Sequence, residues 1–257
     1  MQFERSCAIG VMAKAPQAGR SKTRLCPPLL PDQAAALSAA FLRDTTENIA
    51  ATARTAPVRG FVAYAPAGSV SLFDGNVADG TGFVLADGIS GFPGPMPADV
   101  LGFGRCLLHA VQGMLTQGFA AACVLNSDSP TLPGQILATA AQALLQAGDR
   151  VVLGAAEDGG YYLLGMKRLH ARLFADIAWS TDGVADATRA RAGELGLEVV
   201  ELPLWYDVDD RASLTRLLHE ISGLDQAGPL DPWPAPATAA ALRRIGLYAP
   251  EQLRAAE

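Results

Sequence analysis

Residues 7–25 read Cys7-Ala-Ile-Gly-Val-Met-Ala-Lys14-Ala-Pro16-Gln-Ala-Gly19-Arg20-Ser-Lys22-Thr-Arg24-Leu25. The apolar run 7–13 suits a strand covered on both faces, as in a parallel sheet. The polar stretch after it carries Pro16, Gly19, Pro27 and Pro28 and must be a loop. A helix then runs from Asp32, placed as its cap, to about Arg54, with Leu37, Ala40, Phe41 and Ile49 near helical spacing. Strand, basic loop and helix in this order open an α/β unit.

The rest of the chain repeats that alternation. Strands are expected at Gly60–Ala65, Phe83–Ala86, Ala120–Leu125, Arg150–Ala155, Tyr161–Met166 and Glu198–Leu204. Helices are expected at Arg105–Gln117, Gly134–Ala147, Val184–Leu195 and Asp210–Ile221. Residues 87–104 are rich in Gly and Pro and form a long loop, a length more often functional than idle. The sum is a three-layer α/β/α sandwich on a mostly parallel, Rossmann-like sheet. No linker splits it, so residues 1–224 are read as one domain. Residues 225–257 are read as a Pro-rich arm with a short helix after Thr238, packing on the same domain.

Composition bounds the function. Of 257 residues, 50% are hydrophobic and 18% charged, which excludes a disordered chain. The formal net charge of −6 argues against nucleic acid and against anionic membrane surfaces as partners. No apolar run approaches the roughly 18 residues of a membrane helix, and no signal-peptide pattern opens the chain. Cys7, Cys26, Cys106 and Cys123 have no zinc-site spacing and read as reduced thiols of a cytoplasmic protein.

In open α/β sheets, ligands bind beyond the carboxyl ends of the strands. Lys14, Arg20, Lys22 and Arg24 follow the first strand, with Gly19 letting the backbone approach a ligand. Arg offers bidentate contacts to phosphate and Lys a compact point charge, so the loop reads as a phosphate site. It is not a P-loop, because Lys14 and Arg20 stand where that motif needs Gly and Lys. Asp128 follows the fourth strand and is placed to hold Mg²⁺ or Mn²⁺ against a diphosphate, or to cap the next helix. Asp207 and Asp209 are two apart and face the same way on an extended segment, while Asp210 reads as a helix cap. Asp158, in Glu157-Asp158-Gly159-Gly160, is either an acceptor-orienting general base or the turn residue of a hairpin. Trp179 is either a pocket wall or core. Of Tyr161 and Tyr162, which point to opposite faces, at most one lines the site. The three histidines carry no assigned role.

Four motifs stand in a familiar order: Lys14-Ala-Pro-x-x-Gly-x-x-Lys-Thr-Arg-Leu25, Ser127-Asp128-Ser129-Pro130, Asp158-Gly-Gly-Tyr161 and Asp207-Val-Asp209. Over about residues 7–220 the chain resembles a bacterial family of GT-A-type, nucleotide-diphospho-sugar-transferase-like proteins, often called glycosyltransferases. It is also similar to the phospholactate and molybdenum-cofactor guanylyltransferases of the same superfold. The resemblance implies that Arg20, Lys22 and Arg24 hold nucleotide phosphates, that Asp128 binds the metal and that Asp209 is its second ligand. Two departures stand out. The D-x-D of many glycosyltransferases is Asn126-Ser127-Asp128 here, and the loop has a single Gly19 where nucleotidyltransferases carry more.

The leading expectation is a metal-dependent glycosyltransferase moving a sugar from a nucleotide-diphospho-sugar to a small-molecule acceptor. The alternatives are a nucleotidyltransferase coupling an NTP to a phosphorylated small molecule with pyrophosphate release, and a non-catalytic nucleotide-binding protein. Asp207, Gly159, Tyr161 and Trp179 are candidate pocket residues. A role for the arm in covering the pocket, or in a homodimer, stays open.

Overall fold

The computed structural model describes residues 3–89, 96–224 and 229–248. Seven strands form one sheet: β1 (Cys7–Lys14), β2 (Val58–Ala65), β3 (Gly82–Leu85), β4 (Ala121–Leu125), β5 (Arg150–Ala155), β6 (Tyr161–Met166) and β7 (Glu198–Glu201). Their order is β3-β2-β1-β4-β6-β5-β7, and β6 alone runs antiparallel to its neighbours. The helices are α1 (Pro31–Thr52), α2 (Phe103–Leu115), α3 (Gly134–Leu145), α4 (Val184–Glu194), α5 (Arg211–Ile221) and α6 (Pro236–Arg244).

The strands bury both faces, and their side chains divide with period two. Ile9, Val11, Cys123 and Leu125 face a core shared with α1, α3, α5 and α6. Ala8, Ala122 and Val124 face a second core against α2 and α4. The result is the expected three-layer α/β/α sandwich. The order reverses between β1 and β4, so the crevice of such a sheet opens at the carboxyl ends of those two strands.

Several element ends differ from the sequence reading. Asp32 does not cap α1: Pro31 takes the first turn, Leu30 stands at the cap position, and the Gln33 side chain accepts a hydrogen bond from its N–H at 2.9 Å. The 87–104 loop ends sooner, because α2 begins at Phe103; residues 90–95 of it lie outside the described residues. β7 stops at Glu201, and the chain runs on as extended backbone to the last strand tips. α6 starts at Pro236, two residues before Thr238. Its first N–H groups, of Ala237 and Thr238, donate to the carboxylate of Asp44 on α1 at 2.9 and 2.7 Å. That buried carboxylate satisfies a helix N-terminus that has no cap of its own. All four cysteines are free thiols, and no described helix is long and apolar enough to cross a membrane.

Candidate active site

The β1 loop turns at Gly19, whose φ of +72° suits a residue without Cβ, and then enters a short 3-10 turn at Thr23–Leu25. Lys22 precedes that turn in the left-handed conformation. Its side chain runs inward rather than toward solvent and is only 6% exposed. The ammonium donates to the Val208 carbonyl at 2.7 Å and lies 2.8 Å from Oδ1 of both Asp128 and Asp209. Burial disfavours the charge, but the two carboxylates outweigh it and hold the Lys22 pKa above its ordinary value. Three oxygens thus converge on a single cation.

Asp209 reaches this point by a path that strand order alone does not give. Two strands, β6 and β5, separate β4 from β7. Beyond β7 the segment 205–209 crosses their tips. Trp205 pairs with Ala156, donates its N–H to Ala155 O at 3.3 Å and accepts from Glu157 N–H at 3.0 Å. Ser129 Oγ then donates to Tyr206 O at 2.8 Å, and Val208 N–H to Asp128 O at 2.8 Å. The segment is stitched across the sheet end, and it delivers Asp209 and the Val208 carbonyl to the β4 tip. Asp128 is no helix cap, since α3 is preceded by Pro133. Asp210 is one: its Oδ1 accepts the Ser213 N–H at 2.8 Å.

A cleft of about 320 Å³ opens above the cradle, lined by Lys14, Arg20, Thr23, Arg24, Ser127 and Asp128, among others. Lys14 and Arg20 are exposed there and make no ion pair among the described residues. Arg24 is 78% exposed and 3.8 Å from Asp209. All four cations of the loop line the cleft, but Lys22, expected beside the others on phosphate, is held at its floor by carboxylates.

The oxygen cradle suits a divalent ion in its chemistry, since Mg²⁺ and Mn²⁺ take carboxylate and carbonyl oxygens and complete their shells from ligand phosphate and water. Asp128 and Asp209 would hold it. The point they converge on is filled by the chain's own ammonium.

On the other side of Asp209 lies a recess of about 490 Å³, lined by Glu157, Asp158, Asp207, Asp210 and Arg216, among others. Asp207 carries its carboxyl up to about 6, chiefly through burial and then through Asp158, Asp209 and Asp128. Asp158 is exposed, and its Oδ1 accepts the Gly160 N–H at 2.8 Å, the bond of a turn residue. Gly159 is packed by backbone. At φ +87° its missing Cβ would lie 1.9 Å from Asp182 O, and its own carbonyl accepts the Ala185 N–H at the start of α4.

Tyr161 and Tyr162 face opposite cores, yet both, and not at most one of them, border the apolar pocket beside Asp128. Tyr162 donates its O–H to Pro203 O at 2.7 Å. Tyr161 borders an apolar pocket of about 210 Å³ with Met12, Phe103 and Asp128, and burial pushes its phenol well above the ordinary range. Trp179 packs edge-on against Phe103 and Tyr161, at 5.9 and 6.5 Å between ring centroids. It supports the wall from behind. Phe103 and the Val208 carbonyl were not singled out from the sequence. An exposed Phe ending a Gly- and Pro-rich loop was the available signal for the first; a backbone carbonyl leaves none.

With this geometry in hand, comparison with known proteins adds a family. Residues 48–181, just over half of the chain, match the bacterial family described as "Uncharacterized protein conserved in bacteria (DUF2064)". The chain belongs to this family. No curated protein matches it. Among solved structures, one from Desulfovibrio desulfuricans G20, assigned as a nucleotide-diphospho-sugar transferase, is 26% identical. The likeness covers 94% of this chain and 95% of that one with a TM-score of 0.74. The DUF2064 chain thus has a nucleotide-diphospho-sugar transferase-like fold. A CMP:2-keto-3-deoxy-manno-octonic acid synthetase complexed with CTP is 14% identical over 82% of this chain and 96% of that one, TM-score 0.47. Rv0371c of Mycobacterium tuberculosis H37Rv, in complex with manganese, is 18% identical over 82% and 98%, TM-score 0.43.

Proposed function

We propose that this DUF2064 protein is a metal-dependent glycosyltransferase that takes a nucleotide-diphospho-sugar and a small-molecule acceptor. The observation that supports it most is the convergence of Asp128, Asp209 and the Val208 carbonyl on one point, filled by the Lys22 ammonium, beside a cleft edged by Lys14, Arg20 and Arg24. The whole-chain likeness to the Desulfovibrio protein supports it further.

Lys14, Arg20 and Arg24 bind the diphosphate and carry part of its charge as it leaves. Asp128 and Asp209 would hold a divalent ion, which when bound would supply the remainder of that positive charge. The acceptor enters from the recess, where Asp158 orients its hydroxyl and takes the proton as the new bond to the sugar carbon forms and the bond to diphosphate breaks. Phe103 and Met12 form a dry wall on the apolar side of Asp128.

A second reading, nucleotidyl transfer from an NTP with pyrophosphate release, is favoured by one observation. Lys14 and Arg20 have no ion pair among the described residues and Arg24 only a long one, which suits a polyphosphate.

Thermal shift against NTPs, NDPs and nucleotide sugars, each with and without Mg²⁺ or Mn²⁺, separates these. A ligand at 100 times its Kd adds about 2.7 kcal/mol. Metal-dependent stabilisation by one nucleotide sugar is the expected result. Preference for an NTP selects nucleotidyl transfer, and no shift with any of them removes the phosphate site.

A further inference from the structure

Lys22 sits where a divalent ion would have to sit. Its nitrogen is 2.7–2.8 Å from three oxygens, Asp128 Oδ1, Asp209 Oδ1 and Val208 O. A Mg²⁺ or Mn²⁺ bridging the same carboxylates needs comparably short oxygen contacts, so ion and ammonium exclude each other. The ammonium also lies 5.6 Å from the centroid of the Phe41 ring, so the aliphatic stem is packed as well as the charge. Lys22 and the three remaining cations of the loop line the same cleft, so a released Lys22 would turn into it.

We propose that Lys22 is an exchangeable occupant of the cation cradle: it holds the two carboxylates together while the site is empty, and it is drawn out onto phosphate when a metal–diphosphate complex arrives. This rests on the cation site proposed above. A free divalent ion meets a cradle already occupied, and half neutralised, by an ammonium that has nowhere else to go, and gains little. A metal that comes with a diphosphate brings new anionic oxygens for Lys22, so the ammonium moves from carboxylate to phosphate without losing its charge-assisted bonds. Metal and diphosphate then bind as partners, each raising the affinity for the other by the same factor. The ordering is a property of this one side chain, because a neutral residue at position 22 has nothing to give up.

Two probes test it: Mn²⁺ alone, followed by electron paramagnetic resonance of the free ion, and inorganic pyrophosphate in equilibrium dialysis. The folded wild-type chain should leave Mn²⁺ free at concentrations where Lys22→Met binds one equivalent, a difference of at least tenfold in Kd. Equal Mn²⁺ affinity in the two proteins overturns the exchange. Should Lys22→Met not fold, the wild-type protein decides by the NMR signal of the Lys22 ammonium. That signal should stay in place with Mg²⁺ alone and move with Mg²⁺ plus pyrophosphate; an unmoved signal while pyrophosphate is bound overturns the proposal. Pyrophosphate binding that depends on Mn²⁺, with equal Mn²⁺ affinities, removes the exchange and spares the cation site. Pyrophosphate binding that ignores Mn²⁺ in both proteins removes the cation site itself.

Discussion

Asp207 and Asp209 are two residues apart, yet they belong to opposite electrical worlds. Asp209 stands between the basic cleft and the acidic recess and has cations on its cleft side, Lys22 at 2.8 Å and Arg24 at 3.8 Å. Asp207 faces Asp158 and its neighbours across the recess, and burial with those charges carries it up to about 6. The recess holds one compensating cation in this neighbourhood besides Arg24. Arg216 pairs with Glu157 at 2.6 Å and lies 4.0 Å from the Tyr206 ring centroid. A carboxylate's neighbourhood, and not its place in a motif, decides whether it is a settled partner or a group with unspent charge. The cleft is edged by cations and the recess mostly by carboxylates. That division suits a donor bearing phosphates on one side of Asp209 and an acceptor bearing hydroxyls on the other.

The comparison is broken most severely from the recess side. Gly159→Ala drives a methyl into Asp182 O at a left-handed φ, with no flexible side chain to yield. A loss of about 3 kcal/mol is expected in denaturant unfolding, with the cleft still binding pyrophosphate below the lowered midpoint. A variant as stable as wild type would mean that the hairpin is not pinned on α4.

Asp158→Asn comes next. Asparagine keeps the oxygen that accepts the Gly160 N–H, so the turn survives. Turnover should fall about 10²-fold, the low end for lost general-base help, while nucleotide binding is unchanged. Unchanged turnover would make Asp158 a turn residue and nothing else. Arg20→Ala tests the other side. Losing one charge-assisted contact should weaken pyrophosphate binding by about 1.5 kcal/mol, roughly tenfold, without moving the melting temperature. A drop in stability instead would mean that Arg20 serves the fold.

Asp207→Asn is the gentlest probe and the sharpest on the comparison itself. The folded pKa of Asp207 lies above the unfolded one, so the folded chain takes the proton first as pH falls. In metal-free protein, stability should therefore rise as pH drops through about 6 toward the ordinary carboxylate value. The asparagine variant should lose that rise and be more stable at pH 7. Discounted for the partial exposure of the group, the gain is about 1 kcal/mol. A variant less stable at pH 7 would show that Asp207 has a partner in solution.

Much of the molecule was legible in the chain. The apolar runs at 7–13 and 120–125 suit strands buried on both faces, because each lacks a polar alternate. The Pro and Gly after them could only be loops. Those patterns are local, and local patterns survive without knowledge of the fold. Element ends were less legible where a rival chemistry acted, as at α1, where Pro31 displaced Asp32 from the cap.

The sequence by itself determined the α/β class, the run of cations behind the first strand, and the carboxylates at the strand tips. Only the tertiary structure decided how those charges pair. The segment 205–209 had to cross two strand tips to bring Asp209 to Asp128, and its course is set by hydrogen bonds to Ala155, Glu157, Asp128 and Ser129, distant in the chain. Lys22 left its basic neighbours because a buried ammonium is stable only against anions, and the fold placed two within 2.8 Å. Charge type is written residue by residue. Charge partnership depends on distances between segments far apart in the chain, and those exist only once the sheet has assembled.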